Sequence, residues 1–311
     1  MHPWVAEGAR LVRFGVYGGL LPDWSRGLEW VQLAEELGFD SFWMADHPVA
    51  HGRDCWTYLA ALATRTSRIR LGSLVSCVYY RAPALLARMV ADVDIISNGR
   101  VVLGLGIGDV EREFAQLGLV YPPVRERQTA LGEMLEVLPG LLRGEEVTLS
   151  GTYLRVDGAV IRPGPLQEPY VPILVAGGGE KVTLRQVAKY ADASNFGAGN
   201  TMGSAWTLDD VRRKYDALRG HCEAVGRPYD SVLRTYFGGV LEFGESVNTR
   251  EERFSTAFGQ YLVLHGDPKG AVAHYRALVD AGVRYVILVG LADPQALRLF
   301  AEQVVPEVAG A

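Results

Sequence analysis

RIRLGSLVSCVYYRAPALLARMVADVDIISNGRVVLGLGIG, residues 68–108, is the stretch on which the fold turns. It opens with an apolar run over Ile69–Val75 and closes with another over Val101–Gly106. Between them a helical pattern begins at Pro83 and carries Leu85, Met89, Val90 and Val93. Proline suits the first turn of a helix, where its missing N–H goes unused and its fixed φ is already helical. Near-continuous apolar runs are expected of parallel strands covered on both faces. The stretch therefore reads as strand, helix, parallel strand.

The same alternation extends in both directions. Further strands are expected over Leu11–Tyr17, Ser41–Ala45, Pro172–Ala176, Ala193–Phe196, Val232–Val240 and Tyr285–Val289. Trp30, Leu33, Ala34 and Leu37 keep helical spacing, with Gly38 as the stop. Thr207 and Asp210 form a capping pair ahead of Val211, Tyr215, Leu218 and Cys222. Asp267–Pro268 opens a helix that ends near Gly282. Eight strands alternating with helices over 311 residues predict an α/β fold, a (β/α)8 TIM barrel, as one domain over 1–311. A doubly wound sheet is the rival, but no second-domain break interrupts the pattern. Arg143–Val171 is the irregular segment, read as a hairpin and a Pro/Gly-rich loop inserted between strands four and five.

Bulk composition narrows the functions. Hydrophobic residues make up 49% and charged ones 22%, enough for a large core. A net charge of −5 without a basic run argues against nucleic acid and against a membrane surface. The N-terminal MHPWVAEGARLVRFG is charged where a signal peptide would be apolar, so a cytoplasmic protein is expected. Cys55, Cys77 and Cys222 fit neither a disulfide framework nor a metal motif, and no metal site is expected.

A barrel of this type places its chemistry after the C-terminal ends of its strands. Asp46 and His47 follow strand two; Ser76, Cys77 and Tyr79–Tyr80–Arg81 follow strand three. GLGIGDVERE, with Gly104, Gly106, Gly108, Asp109, Glu111 and Glu113, surrounds the end of strand four. His47 is the sharpest candidate, because its ordinary pKa lets it donate or accept a proton near neutrality. Asp46 either orients that imidazole or ends the strand with a turn hydrogen bond. VAGGGEKVTLR after strand five and GAGNTMG after strand six offer backbone amides and a helix start near Glu180 to a phosphate. GLGIG lacks the third glycine of a dinucleotide fingerprint; its small residues suggest a flat group lying close to the strand backbone.

Four stretches, AEELGFDSFWMADHP, TSRIRLGSLVSCVYYRAPALLARMVADVDIISNGRVVLGLGIGDVEREFAQLGL, PILVAGGGEKVTLRQVAKYADASNF and HGDPKGAVAHYRALVDAGVRYVIL, together resemble the bacterial-luciferase-like superfamily. The resemblance is strongest to its branch dependent on the deazaflavin coenzyme F420. It implies an oxidoreductase barrel with one flavin-like cofactor and a small-molecule substrate, acting as a homodimer. It maps the family's histidine onto His47, its neighbouring acid onto Asp46 and the strand aromatic onto Trp43. A non-proline cis peptide would fall at Leu74–Val75, against the ring, with Gly106 beside it. Phosphate-holding amides map onto Gly177 and Gly178, with Gly197, Ala198 and Gly199 opposite, and a substrate-side acid maps onto Asp109. The chain has Gly108–Asp109 where many relatives carry Gly-Trp or Gly-Glu, which leaves the substrate open. Three alternatives stand beside this reading. One is an FMN-dependent monooxygenase on the same fold; another is a non-redox lyase using His47 and Asp109 as acid and base; the third is a non-catalytic flavin-binding or light-emitting accessory protein.

Overall fold

The computed structural model describes residues 1–8, 10–18, 23–198, 203–243, 250–256, 259–291 and 293–310. In chain order its strands are β1 (Arg13–Tyr17), β2 (Ser41–Met44), β3 (Arg70–Ser73), β4 (Ser76–Cys77) and β5 (Val101–Gly106). They continue with β6 (Val147–Ser150), β7 (Arg155–Ala159), β8 (Ile173–Ala176) and β9 (Ala193–Gly197). The last are β10 (Leu233–Phe243), β11 (Arg250–Thr256), β12 (Gly259–Gly266) and β13 (Tyr285–Val289). The sheet runs β10, β13, β1, β2, β3, β5, β8, β9, and β9 pairs again with β10. That cyclic order is the (β/α)8 barrel expected from the alternation of runs.

The chain divides into two compact units. One comprises Pro3–Trp43 with Gly177–Ala311. Within it β1 lies between β13 and β2, parallel to both, and β10 is parallel to β9 and β13. Three of its helices begin and end close to where the sequence signals them. Asp23 caps Trp24–Glu36, which stops before Gly38 at φ +83. Thr207 and Asp210 form a reciprocal capping box on Leu208–Ala224, and Asp267 caps Pro268–Asp280. The unit also holds an antiparallel pair absent from the sequence reading, β11 on β12, with β12 parallel to the far half of β10.

The other unit, Met44–Ala176, contains the stretch that decides the fold. Pro83 stands at the first turn of the helix Pro83–Ser97, which ends on Asn98 in the left-handed region. β5 is parallel to β3, β4 and β8, and all six of its residues are buried. The expected insertion is present as the antiparallel pair β6–β7. Strand three is shorter than its apolar run: it breaks after Ser73 and resumes as β4.

Candidate active site

Three consecutive strand ends of the Met44–Ala176 unit build one polar cluster. The glycine spacing of β5 determines how they meet. A Cβ on Gly104 would overlap the Ser73 carbonyl oxygen, and one on Gly106 would overlap Cγ2 of Val75. A Cβ on Gly108 would lie 2.8 Å from Cys77 Sγ and from the Phe114 ring. The glycines therefore admit the Ser73–Cys77 segment across β5. Ser73 Oγ fastens the crossing, donating to Gly104 O at 2.9 Å and accepting from Gly104 N at 3.0 Å. A non-proline cis peptide joins Leu74 to Val75 at the position the resemblance implies, and both side chains are half-buried.

Beyond β5 the short helix Glu111–Gln116 turns two side chains inward, Glu113 and Phe114. Phe114 packs among Tyr79, Tyr80 and Tyr121 with ring centroids 4.9–5.9 Å apart. That anchor holds Glu113 over the end of β2. The Glu113 carboxylate is fully buried and accepts from four donors. Oε2 lies 2.6 Å from His47 Nδ1 and 3.1 Å from the Tyr80 hydroxyl. Oε1 takes the amides of Val49 and Ala50 at 3.0 and 3.1 Å.

Charge follows from these contacts. Burial opposes ionisation of Glu113, but the His47 hydrogen bond, the two amides and the His47 charge outweigh it and hold the carboxyl down at about 2. Burial likewise disfavours a charged His47. The Glu113 hydrogen bond and the charges of Asp109, Glu113 and Asp46 prevail, raising its pKa above the ordinary 6.5. The contact thus favours the imidazolium form beside an ionised carboxylate. His51, ring to ring with His47 at 5.2 Å, is driven the other way, to about 4, by burial and by the charge of His47.

Asp46 belongs to a different pair. Both its oxygens accept from Arg81, Oδ1 at 3.2 Å from Nη2 and Oδ2 from Nη1. Arg81 Nη2 also donates to Asp54 at 2.6 Å, and Asp54 caps the helix Cys55–Ala63 through the Thr57 amide. The carboxylate hydrogen-bonded to His47 is therefore that of Glu113, while Asp46 is only 1% exposed beneath it.

In the other unit a glycine-rich turn follows β8. Gly177 has φ +122, and its amide donates to Asn195 O at 2.8 Å; that expected cradle amide is engaged within the sheet. A Cβ on Gly178 would overlap Gly203 O, so two loops meet there backbone to backbone. Lys214, nearly buried, donates to Gly178 O at 2.7 Å. Gly178, Gly179, the Thr183 hydroxyl and the Lys214 ammonium form a donor set with the chemistry to hold a phosphoryl group. The helix behind the turn is Thr183–Tyr190, three residues later than the sequence suggested.

Residues 9–240 match the model of a protein family described as luciferase-like monooxygenase. The chain belongs to that family. Among curated relatives, an F420-dependent glucose-6-phosphate dehydrogenase of Amycolatopsis mediterranei is 30% identical, over 90% of this chain and 93% of its own length. A 5,10-methylenetetrahydromethanopterin reductase of Archaeoglobus fulgidus is 33% identical, over 90% and 94%. A solved structure of the coenzyme F420 dependent tetrahydromethanopterin reductase from Methanopyrus kandleri superposes with TM-score 0.79 at 21% identity, covering 96% of this chain and 99% of that one.

In this luciferase-like chain the residues expected at the site fall into three groups. His47, Asp46, Asp109, Leu74, Val75 and Gly106 occur together in the Met44–Ala176 unit. Gly177, Gly178, Gly197, Ala198 and Trp43 lie in the other. Trp43 is fully buried and packs on Trp4 at 6.3 Å. Gly197 makes room for the Phe237 carbonyl, and Ala198 O accepts from Leu262 N at 2.9 Å. Gly199 lies outside the described residues. Glu113, Tyr80 and Arg81 were visible only as polar residues after strands three and four. What marks Glu113 is its place beside Phe114 on the buried face of a single helical turn.

Proposed function

We propose that this protein is an F420-dependent oxidoreductase acting on a small organic molecule, with His47 exchanging the proton that accompanies hydride transfer. Bound F420 supplies hydride transfer at C5 of its deazaflavin ring. His47 stands at a barrel strand end with Nδ1 committed to Glu113, which supports proton exchange with a substrate at Nε2. Leu74 and Val75 would contact the ring, and Asp109 would lie on the substrate side. The cofactor assignment is supported by relatives named for F420 along nearly the whole chain. The observation that carries the proton role is the 2.6 Å contact between His47 and the buried Glu113.

The test titrates purified protein with oxidised F420 and, in parallel, with FMN, following absorbance and fluorescence. Saturable binding of F420 is expected. His47→Ala should bind F420 within about threefold of the parent and lose about 10²–10⁴-fold in turnover of a reducible carbonyl panel. Saturable binding of FMN alone would reverse the cofactor assignment, and unchanged turnover would remove His47 from the chemistry.

A further inference from the structure

The Glu113 carboxylate is saturated. An ionised carboxylate accepts and does not donate, and each oxygen here already takes two donors: the amides of Val49 and Ala50 on Oε1, His47 Nδ1 and the Tyr80 hydroxyl on Oε2. A proton arriving on Glu113 would have to displace one of them in a site with no exposure to solvent. Since the carboxylate can only accept, Nδ1 must carry a hydrogen. We infer that Glu113, held by Tyr80 and the Val49–Ala50 amides, is a positioning residue that fixes His47 in its Nδ1–H form. It thereby makes Nε2 the sole ring atom exchanging protons with the substrate.

This deepens the reading above and rests on it for the identity of the reaction. In the proton step itself the Nε2–H bond breaks and a bond from hydrogen to a substrate heteroatom forms. His47 is left neutral, still donating Nδ1–H to a carboxylate that has not changed charge. Glu113 acts as a fixed anion, not as a relay. Among the described residues, charge also reaches the ring from Asp109 in the loop after β5, from Asp46 with Arg81 against it, and from His51 at 5.2 Å. The Glu113 contact at Nδ1 is the one that selects the tautomer in this inference.

The variants separate tautomer control from packing. Glu113→Gln keeps the shape and can keep an oxygen toward the Val49 and Ala50 amides. It then turns an NH2 group toward Nδ1, which favours the opposite tautomer, with the hydrogen on Nε2. Glu113→Asp keeps the charge on a shorter stem, and Tyr80→Phe removes one donor while leaving charge and tautomer alone. The first readout is nitrogen-15 NMR of histidine-labelled protein without cofactor, assigned to His47 by difference from His47→Ala.

In the parent, His47 should titrate above 6.5 and, when neutral, show Nδ1–H. In Glu113→Gln it should titrate lower by about one pH unit or more and show the Nε2–H tautomer. Tyr80→Phe should keep the parent tautomer. With F420 and a carbonyl substrate, Glu113→Gln should lose about 10²–10³-fold in kcat with KM within threefold, and its pH profile should shift with the NMR titration. Glu113→Asp should recover at least tenfold of that loss.

An unchanged His47 tautomer and titration in folded Glu113→Gln overturns the inference. If Glu113→Gln does not fold, loss of the Nδ1–H form in Glu113→Asp or Tyr80→Phe overturns it instead. Failure of the functional reading looks different: no F420 binding, or full turnover in His47→Ala, with the His47–Glu113 NMR signature intact.

Discussion

Arg81 is 9% exposed at its side chain and bonded to two carboxylates, one of them fully buried. Taking one partner from a buried ion pair leaves an uncompensated charge, which costs about 3–5 kcal/mol. Arg81→Met should therefore lower stability by about that amount in urea denaturation at pH 8. The pH dependence has a definite sign. Burial already raises the Asp46 carboxyl against the pull of Arg81. Without the arginine it rises further, and below that higher pKa the group is neutral and costs less. The deficit should thus shrink from pH 8 to pH 5, and adding Asp46→Asn should recover more than half of it at pH 8. A deficit independent of pH would show that Arg81 acts through packing alone. Sequence adjacency misleads here, because consecutive side chains at a strand end point in different directions. Asp46 and His47 are neighbours in the chain, yet one faces Arg81 and the other Glu113, sixty-six residues away.

At the scale of elements, β5 turns on its alternating glycines. A methyl on Gly104 meets a backbone oxygen, which can move only with the whole Ser73–Cys77 segment. A methyl on Gly106 meets the side chain of Val75, which can be trimmed. Overpacking costs about 1–3 kcal/mol. Gly104→Ala should sit at or above the top of that range. Gly106→Ala should cost less, and Val75→Ala should offset most of it while leaving Gly104→Ala unrelieved. Equilibrium denaturation of the two double variants checks this; equal rescue would mean that Val75 is not what Gly106 accommodates. The apolar runs disclosed the barrel strands because each is buried along its length, as in the all-buried patterns of β5 and β13. β11 escaped notice because its sequence, REERFST, is polar and gives neither an apolar run nor an alternation. The break in strand three was equally hidden, since Leu74 and Val75 continue its apolar run unaltered.

For the molecule as a whole, histidines set how stability responds to mild acid. Burial lowers His2, His51 and His274 from the ordinary 6.5 to about 4, aided at His2 by Arg70 and at His51 by the charge of His47. A histidine with a depressed folded pKa binds its proton more readily when unfolded. Its contribution is whole above 6.5 and is lost as pH falls through 6.5 toward 4, up to about 3 kcal/mol each. His47 and Asp46 are raised in the folded state and oppose the trend, but they are fewer. Glu113, held at about 2, stays ionised above pH 5 in either state's range of interest and adds little slope there. Melting temperature should therefore fall by about 4–8 °C between pH 7 and pH 5. His274→Gln should remove roughly a third of that slope, because burial alone depresses His274 and the substitution leaves no titrating group behind. His47→Ala should steepen it, by deleting a group that gains a proton on folding. A melting temperature that is flat over this interval, or a His274→Gln variant with the parent's slope, would mean that these histidines reach solvent before they titrate.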